Sequence, residues 1–247
     1  MSSGGQRVAL AQEALRRADC VCFDFDSTLI CEEGIDELAE FCGAGEAVRA
    51  WTSKAMEGGI KFEDALKARL ELIKPRRQDV ERCLEARPPT FSAGAAELVE
   101  RLRSRGTKVH IVSGGFRCMI EGPALEVLGL PKEDIFANSI FWDDRGDYVG
   151  FDENEPTARD LGKPKVIAFL KKTYHNVVMI GDGATDAQAK PPADAFIAYQ
   201  GVVRREYVRS KADWYVDSFA DLIHALHPPT QQSFDDDGKK VFLSSSS

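Results

Sequence analysis

Short apolar runs alternate with helix-like segments through most of the second half of the chain. Within the runs nearly every residue is apolar, as is typical of strands buried on both faces of a parallel sheet. Between them apolar residues recur at helical spacing, which is typical of amphipathic helices. The pattern predicts strands at residues 21–26, 107–112, 135–141, 148–151, 177–180, 195–198 and 214–216, and helices at 9–17, 95–105, 118–128, 165–173 and 219–226.

A second kind of pattern occupies residues 34–87, where helical periodicity is present and no strand signal interrupts it. Two apolar helix faces can be traced, one over residues 35–42 and one over residues 62–73. Strands that alternate with helices predict an α/β fold with a doubly wound parallel sheet. The all-helical stretch predicts a helical bundle inserted into that fold after its first strand.

Composition and charge narrow the class of protein. The chain has 247 residues, of which 43% are hydrophobic and 29% charged, and its formal net charge is −8. These values are ordinary for a globular protein, and the acidic balance argues against nucleic acid or an anionic membrane as a partner. No apolar run is long enough to span a membrane, and the N-terminal residues lack the apolar core of a secretory signal.

The six cysteines give an expectation about the compartment. They include no CxxC pair and no histidine partner at zinc-binding spacing. We therefore expect reduced and mostly buried thiols in a cytoplasmic protein. The oligomeric state is open at this point, with a homodimer as one alternative.

Three predicted strands end in polar or glycine-rich sequence, at residues 24–28, 113–115 and 181–186. In an open α/β sheet the binding site lies beyond the carboxyl ends of the strands. We therefore expect these three segments to converge on one site.

Four aspartates in these segments predict a metal site. Asp24 and Asp26 are two residues apart on an extended segment, so their side chains can face the same way. Two close carboxylates push their pKa values apart, which lets one stay ionised while the other holds a proton. Asp182 and Asp186 enlarge the cluster, and oxygen ligands without histidine or cysteine favour Mg²⁺.

Other residues fit the binding of an anion, in particular a phosphoryl group. Ser113 followed by Gly114 and Gly115 offers a hydroxyl and accessible backbone N–H groups. Lys163 adds a positive charge for a phosphoryl oxygen. Each feature alone is more often structural, as a capping aspartate, a tight turn or a surface lysine. Their occurrence together, in this order, favours a functional site.

The combined motifs resemble those of the haloacid dehalogenase superfamily, and more specifically those of eukaryotic phosphoserine phosphatases. The resemblance covers residues 21–226 and leaves the two ends of the chain outside it. It rests on the segments 24–29 (DFDSTL), 32–38 (EEGIDEL), 113–117 (SGGFR), 136–138 (FAN), 150–152 (GFD), 156–158 (PTA), 181–186 (GDGATD) and 191–196 (PPADAF), and on Lys163.

The resemblance implies a phosphatase that works through a phosphorylated aspartate. Asp24 would be the nucleophile. Asp26 would be the acid that protonates the leaving serine oxygen of O-phosphoserine, and then the base that activates water. Mg²⁺ would be held by the Asp24 carboxylate, the Asp26 backbone carbonyl and Asp182. Asp186 would support the metal site or orient Lys163.

The resemblance also implies how the phosphoryl group is bound. Ser113 and Lys163 would hold its oxygens, Gly114 and Gly115 would give access to the backbone, and Thr185 would complete the site. With Mg²⁺ and the lysine present, an acidic chain can accept an anionic substrate.

The inserted helices would form a cap that selects the substrate. Glu33 would pair with the substrate ammonium group and Arg69 with its carboxylate, because a guanidinium can grip a carboxylate with two hydrogen bonds. Met56 and Phe62 would wall the pocket. The expected division is a core of residues 1–31 and 93–226, a cap of residues 32–92, and a disordered tail at 227–247.

Two alternatives stay open. A phosphatase or phosphotransferase of the same superfamily that acts on another small phosphomonoester would keep Asp24 and Asp26 but would not need Glu33 and Arg69. A receiver-like signalling domain also combines a phospho-acceptor aspartate, Mg²⁺, a hydroxyl residue and a lysine. Such domains are shorter, lack a helical insert and have no acid two residues after the acceptor, so Asp26 and the insert favour turnover.

Overall fold

The computed structural model describes the backbone of residues 3–56, 61–227, 233–234 and 240–241, and the side chains of residues 4–51 and 61–227. Eight strands lie in the main body: β1 (Cys20–Phe23), β2 (Lys108–Phe116), β3 (Ile135–Asn138), β4 (Ile140–Trp142), β5 (Tyr148–Phe151), β6 (Val177–Gly181), β7 (Ala195–Tyr199) and β8 (Trp214–Val216). Six of them form one sheet in the order β3-β2-β1-β6-β7-β8, with every neighbouring pair parallel. Strands β4 and β5 form a separate antiparallel hairpin.

Strand β1 lies inside the sheet, between β2 and β6. All four of its residues are buried, and they alternate between the two faces of the sheet. From β1 the chain continues to β2 and β3 on one side, and then crosses to β6, β7 and β8 on the other. The carboxyl ends of β1 and β6 therefore flank the point where the strand order reverses, which is where open α/β sheets bind ligands.

Helices cover both faces of the sheet and form the insert. They are α1 (Ser3–Arg16), α2 (Gly34–Phe41), α3 (Gly45–Met56), α4 (Phe62–Ile73), α5 (Arg77–Ala86), α6 (Ala95–Ser104), α7 (Arg117–Leu128), α8 (Gly162–Leu170), α9 (Ala184–Gln188), α10 (Glu206–Lys211) and α11 (Phe219–Ala225). Apolar residues of α1, α6, α7 and α11 pack on one face, and those of α8 and α10 on the other. The predicted doubly wound parallel sheet is confirmed.

The insert is the run of helices α2 to α5, which follows β1 and has its own apolar core. Leu38, Leu66 and Leu70 are buried there, together with Phe116 and Met119 from the sheet side. The β4–β5 hairpin also contacts the insert, because the Trp142 indole donates a hydrogen bond to the Pro75 carbonyl at 2.8 Å. The predicted helical insert is thus present and packs on the sheet domain.

Several element boundaries differ from the predictions. Strand β2 continues through the serine–glycine–glycine segment to Phe116, and the predicted strand 135–141 divides into β3 and β4. The helices α9 and α10 were not predicted, because five or six residues carry too little periodicity to identify. Most of the predicted tail lies outside the described residues, and within it Ser233–Phe234 pairs antiparallel with Lys240–Val241.

The cysteine side chains are less buried than the sequence predicts. All six cysteines are free, but only Cys20, Cys22 and Cys83 are fully buried, and Cys31 is exposed. The prediction of mostly buried thiols was therefore only half correct. Within the described part of the chain, no helix combines the length and apolar character needed to cross a membrane.

Candidate active site

A cavity of about 280 Å³ opens at the carboxyl ends of the central strands, beneath the inserted helices. Arg205, which the sequence analysis did not identify, also lines it. The Met56 side chain lies outside the described residues, and Ser113 and Asp186 lie behind the cavity wall, fully buried. Ten of the predicted residues line the cavity: Asp24, Asp26, Glu33, Phe62, Arg69, Gly114, Gly115, Lys163, Asp182 and Thr185.

The backbone after β1 presents Asp24 to the cavity. Strand β1 ends at Phe23, and Asp24 continues in an extended conformation with its Oδ1 accepting the Phe25 N–H at 2.8 Å. The chain then makes a tight π-helical turn over Phe25–Leu29, in which Ser27 has a positive φ of 50°. The second oxygen of Asp24 contacts a side chain, Lys163, rather than the backbone of this turn.

Lys163 connects two of the aspartates. Its Nζ lies 2.7 Å from Asp24 Oδ2 and 2.6 Å from Asp186 Oδ1, and the lysine is 5% exposed. Burial alone would lower the pKa of Lys163, but the carboxylates of Asp186 and Asp24 outweigh it and raise that pKa above its usual range. The lysine is therefore a fixed positive charge beside Asp24.

Asp24, Asp182 and Asp186 form a group of carboxylates that could hold a metal ion. One oxygen from each lies within 4.8 Å of the others. Burial, followed by repulsion from Asp24, raises the pKa of Asp182, while Arg205 opposes the shift. Asp186 is already committed on both oxygens, to Lys163 and to the Gly183 N–H at 2.9 Å. Asp24 and Asp182 also have partners on both oxygens, but unlike Asp186 they line the cavity, so they are the better candidate ligands.

Asp26 lies across the cavity from this group. Its Oδ1 accepts the Gly34 N–H at 2.9 Å, which ties it to the start of α2. Burial, and then repulsion from Glu33 and Asp24, raises the pKa of Asp26 well above its usual range. Asp24 has the lysine beside it and Asp26 does not, so the two carboxylates occupy different electrostatic environments.

Glu33 reaches the cavity from the start of the insert. Its Oε1 accepts the Ser27 hydroxyl at 2.7 Å and lies 3.7 Å from Arg205 Nη2. Burial, and then repulsion from Asp182 and Asp24, raises the pKa of Glu33. A cationic group in the cavity would relieve this repulsion.

Arg69 and Phe62 project into the cavity from the same helix, α4. Arg69 is half-buried, and its Nε donates a hydrogen bond to the Ala65 carbonyl of its own helix at 3.3 Å. Burial lowers the pKa of Arg69, although Asp36 and Glu33 oppose this. The Phe62 ring lies against Gly114, where a Cβ would come within 3.1 Å of Phe62 Cζ. Only glycine at 114 permits this approach without a shift.

The Ser113 hydroxyl already has a hydrogen-bond partner in its own segment. Its hydroxyl accepts the Gly115 N–H at 2.9 Å, so that N–H is directed away from the cavity. The expected contacts of the serine hydroxyl and the Gly115 N–H with a phosphoryl group are therefore not prearranged. Behind this segment, Asn138 donates to the Gly114 carbonyl and accepts the Thr157 hydroxyl, each at 2.8 Å. This buried network fixes the end of β2.

Arg205 follows β7 in a loop, and its partners are far away in sequence. Its Nε donates to Asp182 Oδ2 at 3.1 Å, and its Nη2 lies 3.0 Å from the same oxygen. The Thr28 hydroxyl donates to the other oxygen of Asp182 at 3.2 Å. No motif surrounds this arginine, but β7 neighbours β6 in the sheet, so a residue just beyond β7 could have been anticipated near Asp182.

Comparisons with known proteins identify the family of this chain. A family model described as haloacid dehalogenase-like hydrolase matches residues 18–193. The chain belongs to the haloacid dehalogenase-like hydrolases.

Individual relatives within that family are more specific. The chain is 51% identical over 215 residues to the chloroplastic phosphoserine phosphatase of Arabidopsis thaliana, a match that covers 85% of this chain and 72% of the relative. It is 50% identical over 211 residues to the phosphoserine phosphatase of Rattus norvegicus, covering 85% of this chain and 93% of the relative. A solved phospho-aspartyl intermediate analogue of phosphoserine phosphatase superposes with a TM-score of 0.71 at 30% identity, covering 84% of this chain and 98% of that one.

Proposed function

We propose that the protein is a Mg²⁺-dependent phosphoserine phosphatase that hydrolyses O-phosphoserine to serine and phosphate through an aspartyl-phosphate on Asp24. The observation that carries this proposal is the arrangement of Asp24 and Asp26 at one cavity, with Lys163 2.7 Å from the first and a raised pKa on the second. The named relatives support the choice of substrate. In this proposal the reaction is the last step of serine biosynthesis.

Asp24 is the proposed nucleophile. Its Oδ1 is held by the Phe25 N–H, which fixes the plane of the carboxylate. Lys163 holds the other oxygen and would contact a phosphoryl oxygen placed beside it, stabilising charge in the transition state. One oxygen of Asp24 attacks phosphorus, and the bond from phosphorus to the serine oxygen breaks.

Asp26 is the proposed acid and base. A carboxyl group with a raised pKa can hold a proton at neutral pH and donate it to the departing serine oxygen. The resulting carboxylate can then accept a proton from the water that attacks the phosphorylated Asp24. The same residue serves both steps, because serine oxygen and water approach phosphorus from the same side.

The carboxylate group fits a divalent cation. It offers oxygen ligands, which suit Mg²⁺, and three buried or nearly buried carboxylates there face two cationic side chains, Lys163 and Arg205. We propose that Asp24, Asp182 and the backbone carbonyl of Asp26 would hold the ion, with Asp186 in support through Lys163. When bound, Mg²⁺ would neutralise charge on the phosphoryl oxygens.

The remaining phosphoryl contacts are proposed for Ser113, Gly114, Gly115 and Thr185. Ser113 accepts from the Gly115 N–H, and its hydroxyl proton is still free to be donated. Gly114 and Thr185 line the cavity and need no rearrangement of a side-chain partner.

Substrate selection is proposed for the insert. Glu33 would bind the substrate ammonium group, since the repulsion that raises its pKa would be relieved by a cation. Arg69 would bind the carboxylate, because it lines the cavity and its side chain donates to a backbone carbonyl rather than to a protein carboxylate. Phe62, together with Met56, would wall the pocket. We keep the proposed boundaries of core, cap and tail at residues 31/32, 92/93 and 226/227.

Three comparisons in a phosphate-release assay test the proposal: with and without Mg²⁺, wild type against Asp24→Asn, and phosphoserine against other phosphate esters. Phosphate release from phosphoserine is measured with and without Mg²⁺ for the wild type and for Asp24→Asn, and we expect activity only in the wild type with Mg²⁺. Phosphothreonine and sugar phosphates are tested separately as alternative substrates. Equal turnover of all of them would favour a general small-phosphomonoester phosphatase, and undiminished activity of Asp24→Asn would exclude the aspartyl-phosphate.

The compartment and the assembly are also proposals. We propose that the protein acts in the cytoplasm on a small molecule, without nucleic acid or membrane as a partner. Fractionation of cells with an antibody to the chain tests the first point. Light scattering of the purified protein decides between a monomer and a homodimer.

A further inference from the structure

A second cavity, of about 150 Å³, lies behind Asp26 where the inserted helices join the sheet domain. Two chain segments make this junction, residues 30–34 and 87–91, and we call them the hinge. The Cys31 N–H donates to the Thr90 carbonyl at 2.9 Å and so ties the two segments together. The hinge cavity is lined mainly by apolar residues such as Leu84 and Met119, with the polar side chain of Asp26 at its inner end.

The two cavities meet at Asp26. Asp26 and Gly115 line both of them, and Gly34 lines the hinge cavity. A Cβ at position 115 would lie 2.8 Å from Asp26 Oδ2, and a Cβ at position 34 would lie 3.2 Å from Asp26 Oδ1. The glycines at these two positions therefore let the backbone approach the Asp26 carboxylate closely on both sides. A side chain at either one would crowd the boundary between the cavities.

The proposed reaction needs water at this boundary. In the second half of the reaction, the water oxygen bonds to phosphorus, the bond from phosphorus to Asp24 breaks, and its electron pair returns to the Asp24 carboxylate. One proton of the water passes to Asp26, and hydrogen phosphate is released. During the first half of the reaction, the serine part of the substrate fills the same region of the main cavity. Water therefore has to reach Asp26 either after serine has left or by a path that avoids it.

We propose that the hinge cavity supplies this water to Asp26, whose side chain lines both cavities, without passage through the mouth of the main cavity. This inference rests on the proposed phosphatase function and adds a route for one reactant. Polar partners for water are present along the route, since Glu32, Arg87 and Asp26 line the cavity beside its apolar wall. Leu84, which is half-buried on α5, lines the same cavity but not the main one.

The test fills the hinge cavity and compares two reactions of the same phospho-enzyme. Hydrolysis needs water, whereas exchange of labelled serine into phosphoserine reverses the first half-reaction and needs none. Leu84→Trp is the filling variant, Met119→Phe is a second one on the opposite wall, and Leu84→Ile is the control of matched volume. Phospho-enzyme is measured after acid quench with labelled phosphoserine, and circular dichroism establishes that each variant is folded.

We expect each filling variant to lower the ratio of hydrolysis to exchange by about tenfold and to accumulate phospho-enzyme, because only the water-dependent barrier rises. Leu84→Ile should match the wild type. An unchanged ratio in the folded filling variants, or a parallel loss of both reactions, would overturn the route. If Leu84→Trp does not fold, the ratio measured for Met119→Phe decides whether the hinge cavity supplies the water. A wild type that catalyses neither reaction would instead refute the proposed function, so the two failures are distinguishable.

Discussion

Arg205 holds Asp182 from one side, with Nη2 3.0 Å and Nε 3.1 Å from the same carboxylate oxygen. Its Nη2 also lies 3.7 Å from Glu33. One cation thus joins a candidate metal ligand to the carboxylate proposed to bind the substrate ammonium group. Both carboxylates have raised pKa values, chiefly from burial, so this cation stabilises charges that would otherwise be poorly compensated.

The first prediction is that Arg205→Ala destabilises the protein. In buffer that contains a metal chelator, we expect the free energy of unfolding to fall by about 1–2 kcal/mol, because a charge-assisted hydrogen bond to a buried carboxylate is lost. The neighbouring Arg204 provides a matched control, since it is 76% exposed and pairs with exposed Asp217. Arg204→Ala should cost less than about 0.5 kcal/mol. Equal losses in urea titrations of the two variants would contradict the role of Arg205.

The strand ends show what the sequence could predict. Asp24, Asp182 and the Ser113–Gly115 segment follow apolar runs, and parallel topology alone requires the carboxyl ends of β1, β2 and β6 to meet at one edge. The local signals and the global fold agree there. The same reasoning identified the helical insert from its uninterrupted helical periodicity.

Arg205 and Ser113 show what the sequence could not predict. Arg205 stands in a loop of no distinctive composition, and its two partners are 23 and 172 positions away, so nothing local marks it. Ser113 lies within β2 rather than after it, and the orientation of its hydroxyl depends on the Gly115 backbone N–H. Such contacts are set by tertiary packing rather than by periodicity or turn chemistry.

The second prediction concerns Asp26. Asp26→Asn keeps the shape of the side chain but removes the proton donor, so phosphoserine hydrolysis should slow by about 10²–10⁴-fold. With p-nitrophenyl phosphate, whose leaving group needs no proton, the first step should survive and phospho-enzyme should accumulate. Acid-quenched samples analysed by mass spectrometry would detect it. Asp24→Asn is the control and should form none. Steady-state turnover at the wild-type rate would rule out acid–base catalysis by Asp26.

The third prediction concerns substrate selection by Arg69. Loss of a buried charge-assisted contact with the substrate carboxylate should lower kcat/KM for phosphoserine by about 10–100-fold in Arg69→Ala. Phosphoethanolamine lacks that carboxylate, so its kcat/KM should be unchanged by the same substitution. Lys67→Ala is the control on the same helix, because Lys67 is 61% exposed and pairs with Glu153 at the surface. An equal loss with both substrates would show that Arg69 has a structural rather than a selective role.

The fourth prediction concerns stability at mildly acidic pH and arises from His110, which is not one of the proposed catalytic residues. This histidine is 5% exposed on β2, and neither ring nitrogen has a hydrogen-bond partner within the described structure. Burial lowers its pKa below the ordinary value of 6.5, although Asp134, 3.7 Å away, opposes the shift.

Because the folded pKa of His110 is the lower one, the unfolded chain binds its proton first as the pH falls. The contribution of neutral His110 to the free energy of unfolding is therefore fully present above about pH 6.5. It is lost as the pH falls from there towards the folded pKa, at up to about 1.4 kcal/mol per pH unit. His110→Phe cannot be protonated and keeps an aromatic ring against Phe136. Urea titrations between pH 8 and about pH 5 should show a smaller acid-induced loss of stability in this variant than in the wild type. Parallel curves for the two proteins would mean that His110 does not contribute to the pH dependence, and that other buried groups account for it.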